Sequence, residues 1–298
     1  LMTDCFIVGC GYVGKRVAMK ELEYGSTVRA LVKRESRAQS LQALGLDAVA
    51  HDLDSITVSA PNLSESILYW FAPPPPVGLI DSRIASFLYS IKKSSLPSRL
   101  VLVSTTGVYG DCKGSWVKES QPTQPRTDRA RRRVNAEEFA RHWCLENRVA
   151  IVILRVPAIY GPGRLPIEQL KRGKHLPAID KSPLVNRIHV SDLVRVCFAS
   201  ARIEIDHNAK IPEICNVSDG NPSTTTEFFL SVAKSLGLPD PLISEHGKDE
   251  QVYDSVISKN LDSKRIDNTR MRKWLGVSPD FPTVEIGLSY RDSFKEEP

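Results

Sequence analysis

Short apolar runs and amphipathic stretches alternate along the first half of the chain. Cys5–Val8, Thr27–Val32, Ile67–Phe71, Leu100–Ser104 and Ala150–Leu154 are almost wholly apolar, with a shorter run at Asp47–Ala50. Runs of this kind predict strands buried on both faces. Between them, Val13–Leu22, Ala38–Leu44, Leu79–Lys93 and Asp128–Asn147 carry apolar residues at helical spacing. The alternation predicts an α/β fold, a Rossmann-type doubly wound parallel sheet with helices on both faces. Past Gly161 it breaks into prolines, loops and shorter elements, and no internal repeat is present. Residues 1–160 are therefore expected to form the sheet domain, with 161–298 a smaller C-terminal region interleaved with it. Pro73–Pro76 ends the fourth strand and reads as a rigid loop.

Gly9-Cys10-Gly11-Tyr12-Val13-Gly14 stands where the first strand meets the first helix. That placement changes the picture from a fold to a site. In a G-x-G-x-x-G turn the first glycine permits the tight turn, the second admits a pyrophosphate to the backbone, and the third lets helix and strand close. The anion then sits at the helix N-terminus, where unpaired N–H groups and the helix dipole favour negative charge. About 20 residues further on, an NAD site carries an acid for the ribose 2′-hydroxyl. Here the second strand runs into Lys33-Arg34-Glu35-Ser36-Arg37. Lys33 and Arg34 point to NADP as the cofactor, and Glu35 keeps NAD as second choice.

Composition suits an enzyme of ordinary size. The 298 residues are 41% hydrophobic and 25% charged, enough for a substantial core. No apolar run reaches the length of a membrane span, and the start of the chain has no signal-peptide pattern. The six cysteines lack C-x-x-C spacing and the six histidines are dispersed, which predicts free thiols, no metal site and a cytoplasmic location. A net charge of +5 suits an anionic cofactor and a small-molecule substrate without requiring nucleic acid.

Further segments carry a resemblance. Val103–Asp111 (VSTTGVYGD), Leu154–Gly163 (LRVPAIYGPG), Arg187–Leu193 (RIHVSDL), Cys215–Val217, and Ile266–Asn268 leading to Trp274–Gly276 follow one another in a familiar order. With the glycine motif, the chain resembles from end to end the extended and atypical short-chain dehydrogenase/reductases, the NAD-dependent epimerase/dehydratase group. The resemblance implies that Gly9, Gly11, Tyr12, Val13 and Gly14 bind the cofactor diphosphate. It implies that Asp52 and Leu53 line the adenine, that Ala72 and Pro73 flank the ribose, and that Pro157, Ala158 and Ile159 face the nicotinamide. Thr105 matches the catalytic Ser/Thr that orients the reacting oxygen. Asn186, Arg187 and His189 are expected near the substrate cleft, whereas Asp192 reads as a helix cap.

The family pattern fails at its acid/base. Such enzymes carry Tyr-x-x-x-Lys on the helix after the Thr105 strand, where i, i+4 spacing sets both side chains on one face. Counting back from Glu137, which matches the family's glutamate, the two positions hold Arg129 and Arg133. A guanidinium stays protonated and cannot act as a base, but it can hold an anion or stabilise an oxyanion. Tyr109…Lys113 lies near Thr105 in a loop, so Tyr109 is a candidate proton relay with packing as its other reading. Tyr89…Lys93, on the preceding helix, reads as a surface pair.

Arg126, Arg129, Arg131, Arg132 and Arg133 form a basic cluster with no aromatic residues interleaved, which argues against nucleic acid. At least Arg131 or Arg132 must face solvent, because consecutive residues diverge around a helix. Three readings follow: an NADP-dependent oxidoreductase or epimerase acting on a carbonyl or alcohol of a small anionic substrate; a catalytically silent NADP-binding redox sensor; and a scaffold using the arginine cluster. The first is preferred, with the protein a monomer or a homodimer; the resemblance implies pairing through the Asp128–Asn147 helix, against which its arginines would act by like-charge repulsion.

Overall fold

The first strand shows how the sheet is made. In β1 (Asp4–Val8), Cys5 and Ile7 pack with one hydrophobic cluster, and Phe6 and Val8 with another on the opposite face. That is the period-2 alternation of a strand covered on both sides. The computed structural model describes residues 3–55, 57–204, 214–244 and 262–290.

After β1 come α1 (Tyr12–Tyr24), β2 (Thr27–Val32), α2 (Glu35–Gln42), β3 (Asp47–Ala50), β4 (Ile67–Trp70), α3 (Ser82–Ser90) and β5 (Arg99–Thr105). Next are β6 (Trp116–Val117), α4 (Asp128–Asn147), β7 (Ala150–Val156) and β8 (Ala158–Tyr160). Then follow α5 (Ile167–Lys171), β9 (His175–Pro177), β10 (Leu184–Val185), β11 (Arg187–His189), α6 (Val190–Ser200) and β12 (Ile214–Asn216).

Seven strands form one sheet in the order β12-β7-β5-β4-β1-β2-β3, with every neighbouring pair parallel. Residues of α1, α2 and α6 pack on one face of this sheet, and residues of α3 and α4 on the other. The expected doubly wound sheet is therefore present. Its reversal point lies between β1 and β4, where the crevice at the carboxyl ends of the strands takes ligands in folds of this kind.

Two helices begin where a side chain caps them rather than where apolar spacing begins. Asp81 accepts from the N–H groups of Arg83 and Ile84, so α3 starts at Ser82 and not at Leu79. Thr127 accepts from the Ala130 N–H and starts α4 at Asp128, as expected. Helix α2 starts at Glu35, earlier than the apolar pattern at Ala38 indicates, because its first turn is solvated. Among the described residues, no helix is long and apolar enough to cross a membrane.

Candidate active site

The glycine motif builds its own wall. Gly9 sits at φ +88°, and a Cβ there would lie 2.5 Å from the Ala72 nitrogen, so β1 and the end of β4 approach too closely for any side chain. A Cβ on Gly14 would meet the Gly9 carbonyl oxygen at 2.8 Å. Gly11 differs: its Cβ would meet nothing within 4 Å. It faces open space at the N-terminus of α1, which no side chain caps and whose first turn has no acidic residue. That terminus is left for an anion.

The open space is a cavity of about 670 Å³, lined by the glycine motif, the ends of β2 and β4, Val103, Arg133, Ile159 and Arg164. Five of its lining residues are cationic (Lys33, Arg34, Arg37, Arg133, Arg164) and none is acidic. Lys33 is already answered, lying 3.0 Å from Asp52 and 3.6 Å from Asp54. The four arginines form no ion pair among the described residues. Arg37 donates to the Cys10 carbonyl at 3.3 Å, which keeps its charge beside the glycine turn. The residues present thus fit a dinucleotide: a glycine cradle, an uncapped helix and excess positive charge.

Among the residues expected at a cofactor, the cavity gathers Gly9, Gly11, Tyr12, Val13, Gly14, Lys33, Arg34, Pro73 and Ile159. Asp52, Leu53, Ala72, Pro157 and Ala158 are not among its lining. Asp52 is turned to Lys33, Leu53 packs on the core, and Ala72 is buried against Gly9. Ser36, Arg37, Ser40, Val103 and Arg164 line the cavity without having been singled out as site residues. The first two stand in the basic run after β2, and Arg164 follows Gly163 directly.

The far end is set by α4. Arg129, Arg133 and Glu137 recur every four residues and so share one face. Arg133 reaches into the cavity and donates to the Val103 carbonyl at 3.4 Å. Burial, with Arg129 adding repulsion, lowers its pKa to about 10, so it stays cationic at neutral pH. Arg129 is exposed and outside the lining. Glu137 is buried and receives Arg155 at 2.7 Å and the Ser104 hydroxyl at 2.5 Å, tying α4 to β5 and β7. In the basic cluster, Arg131 is exposed and pairs with Asp128, but Arg132 is buried and donates to the Gly78 carbonyl.

Thr105 ends β5 on the same strand face as Val103. Its Oγ1 accepts from the Gly107 N–H at 3.1 Å, which leaves the hydroxyl proton to donate. Tyr109 must be corrected as a proton relay. It is buried, its hydroxyl donates to Asn216 Oδ1 at 2.6 Å, and burial raises its pKa despite the Arg155 guanidinium over its ring. Its side chain is held in the interior, in keeping with the packing reading.

The three residues expected at a substrate cleft are also turned inward. Asn186 bonds the backbone of Lys264 and Ile266, and Arg187 bonds Val185 and Ser223 and lies over the Phe228 ring. His189 is buried between Tyr160 and Phe281 and accepts from the Ser191 N–H. These side chains hold the C-terminal elements together. Asp192, read as a helix cap, instead accepts from the N–H groups of Asp280 and Phe281, with His189 in the capping position.

Comparison with known proteins accords with this geometry. Residues 83–217 match the model of the NAD dependent epimerase/dehydratase family. That stretch of the chain is thus similar to the epimerase/dehydratase family. Protein YeeZ of Escherichia coli (strain K12) is 25% identical over 283 residues, 90% of this chain and 94% of that protein. A functionally unknown conserved protein from Silicibacter pomeroyi superposes with TM-score 0.80 and 25% identity, covering 97% of each chain. UDP-glucuronic acid 4-epimerase from Bacillus cereus, solved in complex with NAD, superposes with TM-score 0.76 over 98% of this chain and 97% of its own. At 17% identity that last likeness speaks for the fold alone.

Proposed function

We propose that this protein binds NADP(H) in the cavity and acts as an oxidoreductase or epimerase on a carbonyl or alcohol of a small anionic substrate. One observation carries the reading: an uncapped helix N-terminus and four arginines without carboxylate ion pairs among the described residues share one cavity. Gly9, Gly11 and Gly14 hold the diphosphate. Arg34, Ser36, Arg37 and Ser40 hold the 2′-phosphate, with Lys33 kept in place by Asp52. The nicotinamide, when bound, supplies or accepts a hydride. Thr105 donates a hydrogen bond from its hydroxyl to the reacting oxygen, and Arg133 holds the negative charge on or developing at the substrate. Water is the proton source, since Tyr109 is sequestered and neither arginine can give up a proton. Residues from 161 on form the substrate-facing region, interleaved with the first domain through β12.

The buried Tyr109 and the exposed Arg129 favour a second reading, a catalytically silent NADP-binding redox sensor. NAD is the competing cofactor, being the one bound to the related epimerase. Titration with NADPH and NADH by nicotinamide fluorescence tests the cofactor. Arg37→Ser is expected to weaken NADPH about tenfold, the loss of one charge-assisted phosphate contact, and to leave NADH nearly unchanged. Equal effects on both would overturn the 2′-phosphate assignment. NADPH oxidation across a panel of anionic carbonyl compounds then separates enzyme from silent binder.

A further inference from the structure

The segment after β8 returns over the start of α1. The Tyr12 hydroxyl donates to the Pro162 carbonyl at 2.7 Å, joining positions 150 residues apart. Gly161, at φ +145°, is pressed so close that a Cβ would lie 2.8 Å from Val190 and 3.2 Å from the Tyr12 oxygen. The Arg164 N–H donates to the Gly161 carbonyl at 3.0 Å, closing a turn with Pro162 second and Gly163, at φ +70°, third. Proline followed by a positive-φ glycine is the composition of a type II turn, which fixes the backbone of the residue after it. Arg164 therefore leaves a rigid turn. Its guanidinium lies 4.1 Å from the Tyr12 ring centroid, where the ring face favours a cation, and it lines the cavity together with Gly9 and Gly11.

We propose that Arg164 is an anion-binding residue that holds the cofactor's diphosphate at the N-terminus of α1, an inference that rests on the dinucleotide reading above. The glycine motif offers that diphosphate backbone N–H groups and a helix dipole but no full charge. Arg164 supplies the missing cation, as a planar fork suited to phosphate oxygens, from a segment far away in sequence. Its position selects the diphosphate over the 2′-phosphate. Tyr12, on which it stacks, is the first residue of α1, whereas Arg34 and Arg37 stand past the end of β2. Pinning by Tyr12 and the turn means that little side-chain freedom is lost on binding.

The test uses the full chain, Arg164→Gln and Arg164→Lys, titrated with NADPH, ADP-ribose and adenosine 2′-monophosphate, which lacks a diphosphate. Arg164→Gln is expected to weaken NADPH and ADP-ribose about tenfold, the loss of one charge-assisted contact, and to leave adenosine 2′-monophosphate nearly unchanged. Arg164→Lys recovers part of the loss. Tyr12→Phe, which keeps the ring but frees Pro162, produces a smaller loss in the same two ligands. Unchanged ADP-ribose affinity in Arg164→Gln, with the native protein binding normally, overturns the inference and leaves the cofactor reading standing. Failure of the native protein to bind either NADPH or ADP-ribose overturns both. Circular dichroism of each variant guards against misfolding.

Discussion

The two ends of the cavity are built in opposite ways. At one end, the wall comes largely from short continuous stretches, Gly9–Gly14 and Lys33–Ser40, whose chemistry is backbone approach and charge. At the far end, Val103, Arg133, Ile159 and Arg164 converge from β5, α4, β8 and the turn after it. A locally encoded wall tolerates little change in its glycines but needs few long-range contacts. A convergent wall depends on what holds the segments together, here the buried Glu137–Arg155 pair and the Tyr12–Pro162 bond. The glycine cradle lies at the first end, and Arg133 reaches in at the second.

The largest expected effect breaks the far end. Glu137→Ala leaves Arg155, with 4% of its side chain exposed, as an uncompensated buried charge. Stability is expected to fall by about 3–5 kcal/mol in denaturant unfolding. A fall no greater than that of a surface substitution would show that the far end does not hang on this pair.

Next, the glycines separate packing from binding. Gly9→Ala should lose both stability and NADPH binding, because its Cβ collides with Ala72 backbone. Gly11→Ala should keep its thermal midpoint and lose affinity, because its Cβ enters only the open cradle. Equal stability losses in the two variants would refute the distinction.

The smallest effect is electrostatic and belongs to the far side. Burial, with Arg16 near, lowers the His189 pKa from an ordinary 6.5 to about 4. The unfolded chain therefore takes up this proton first, and stability is lost as pH falls from 6.5 toward 4. Burial raises Asp219 from 3.8 to about 7, so the folded state holds that proton longer and stability is lost as pH rises between those values. Asp219→Asn should therefore unfold later than the native protein at pH 8 and lose that advantage toward pH 4. An advantage of constant size across that range would exclude Asp219 as the titrating group.

Much of this was legible in the chain. The strands were visible because parallel strands buried on both faces must be apolar almost throughout, and the glycine motif because its geometry is local. Arg133 could be placed by counting from Glu137, since a helix face repeats every three to four residues. Helix starts were less legible, because Asp81 ends the loop before α3 by capping, which apolar spacing does not report. The inward partners of Tyr109, Asn186, Arg187 and His189 were not legible, for a shared reason. A polar residue near a motif looks the same in sequence whether it faces a cleft or a buried partner.

By itself, then, the sequence determined the order of the main strands and helices up to β7, the glycine cradle and the absence of the tyrosine–lysine pair, all features written in contiguous or periodic positions. Only the tertiary structure decided that Arg133 enters the cavity while Arg129 does not, that Tyr109 is bound to Asn216, and that Arg164 stacks on Tyr12. Those outcomes depend on contacts between segments as many as 150 residues apart, which packing selects and no local pattern records.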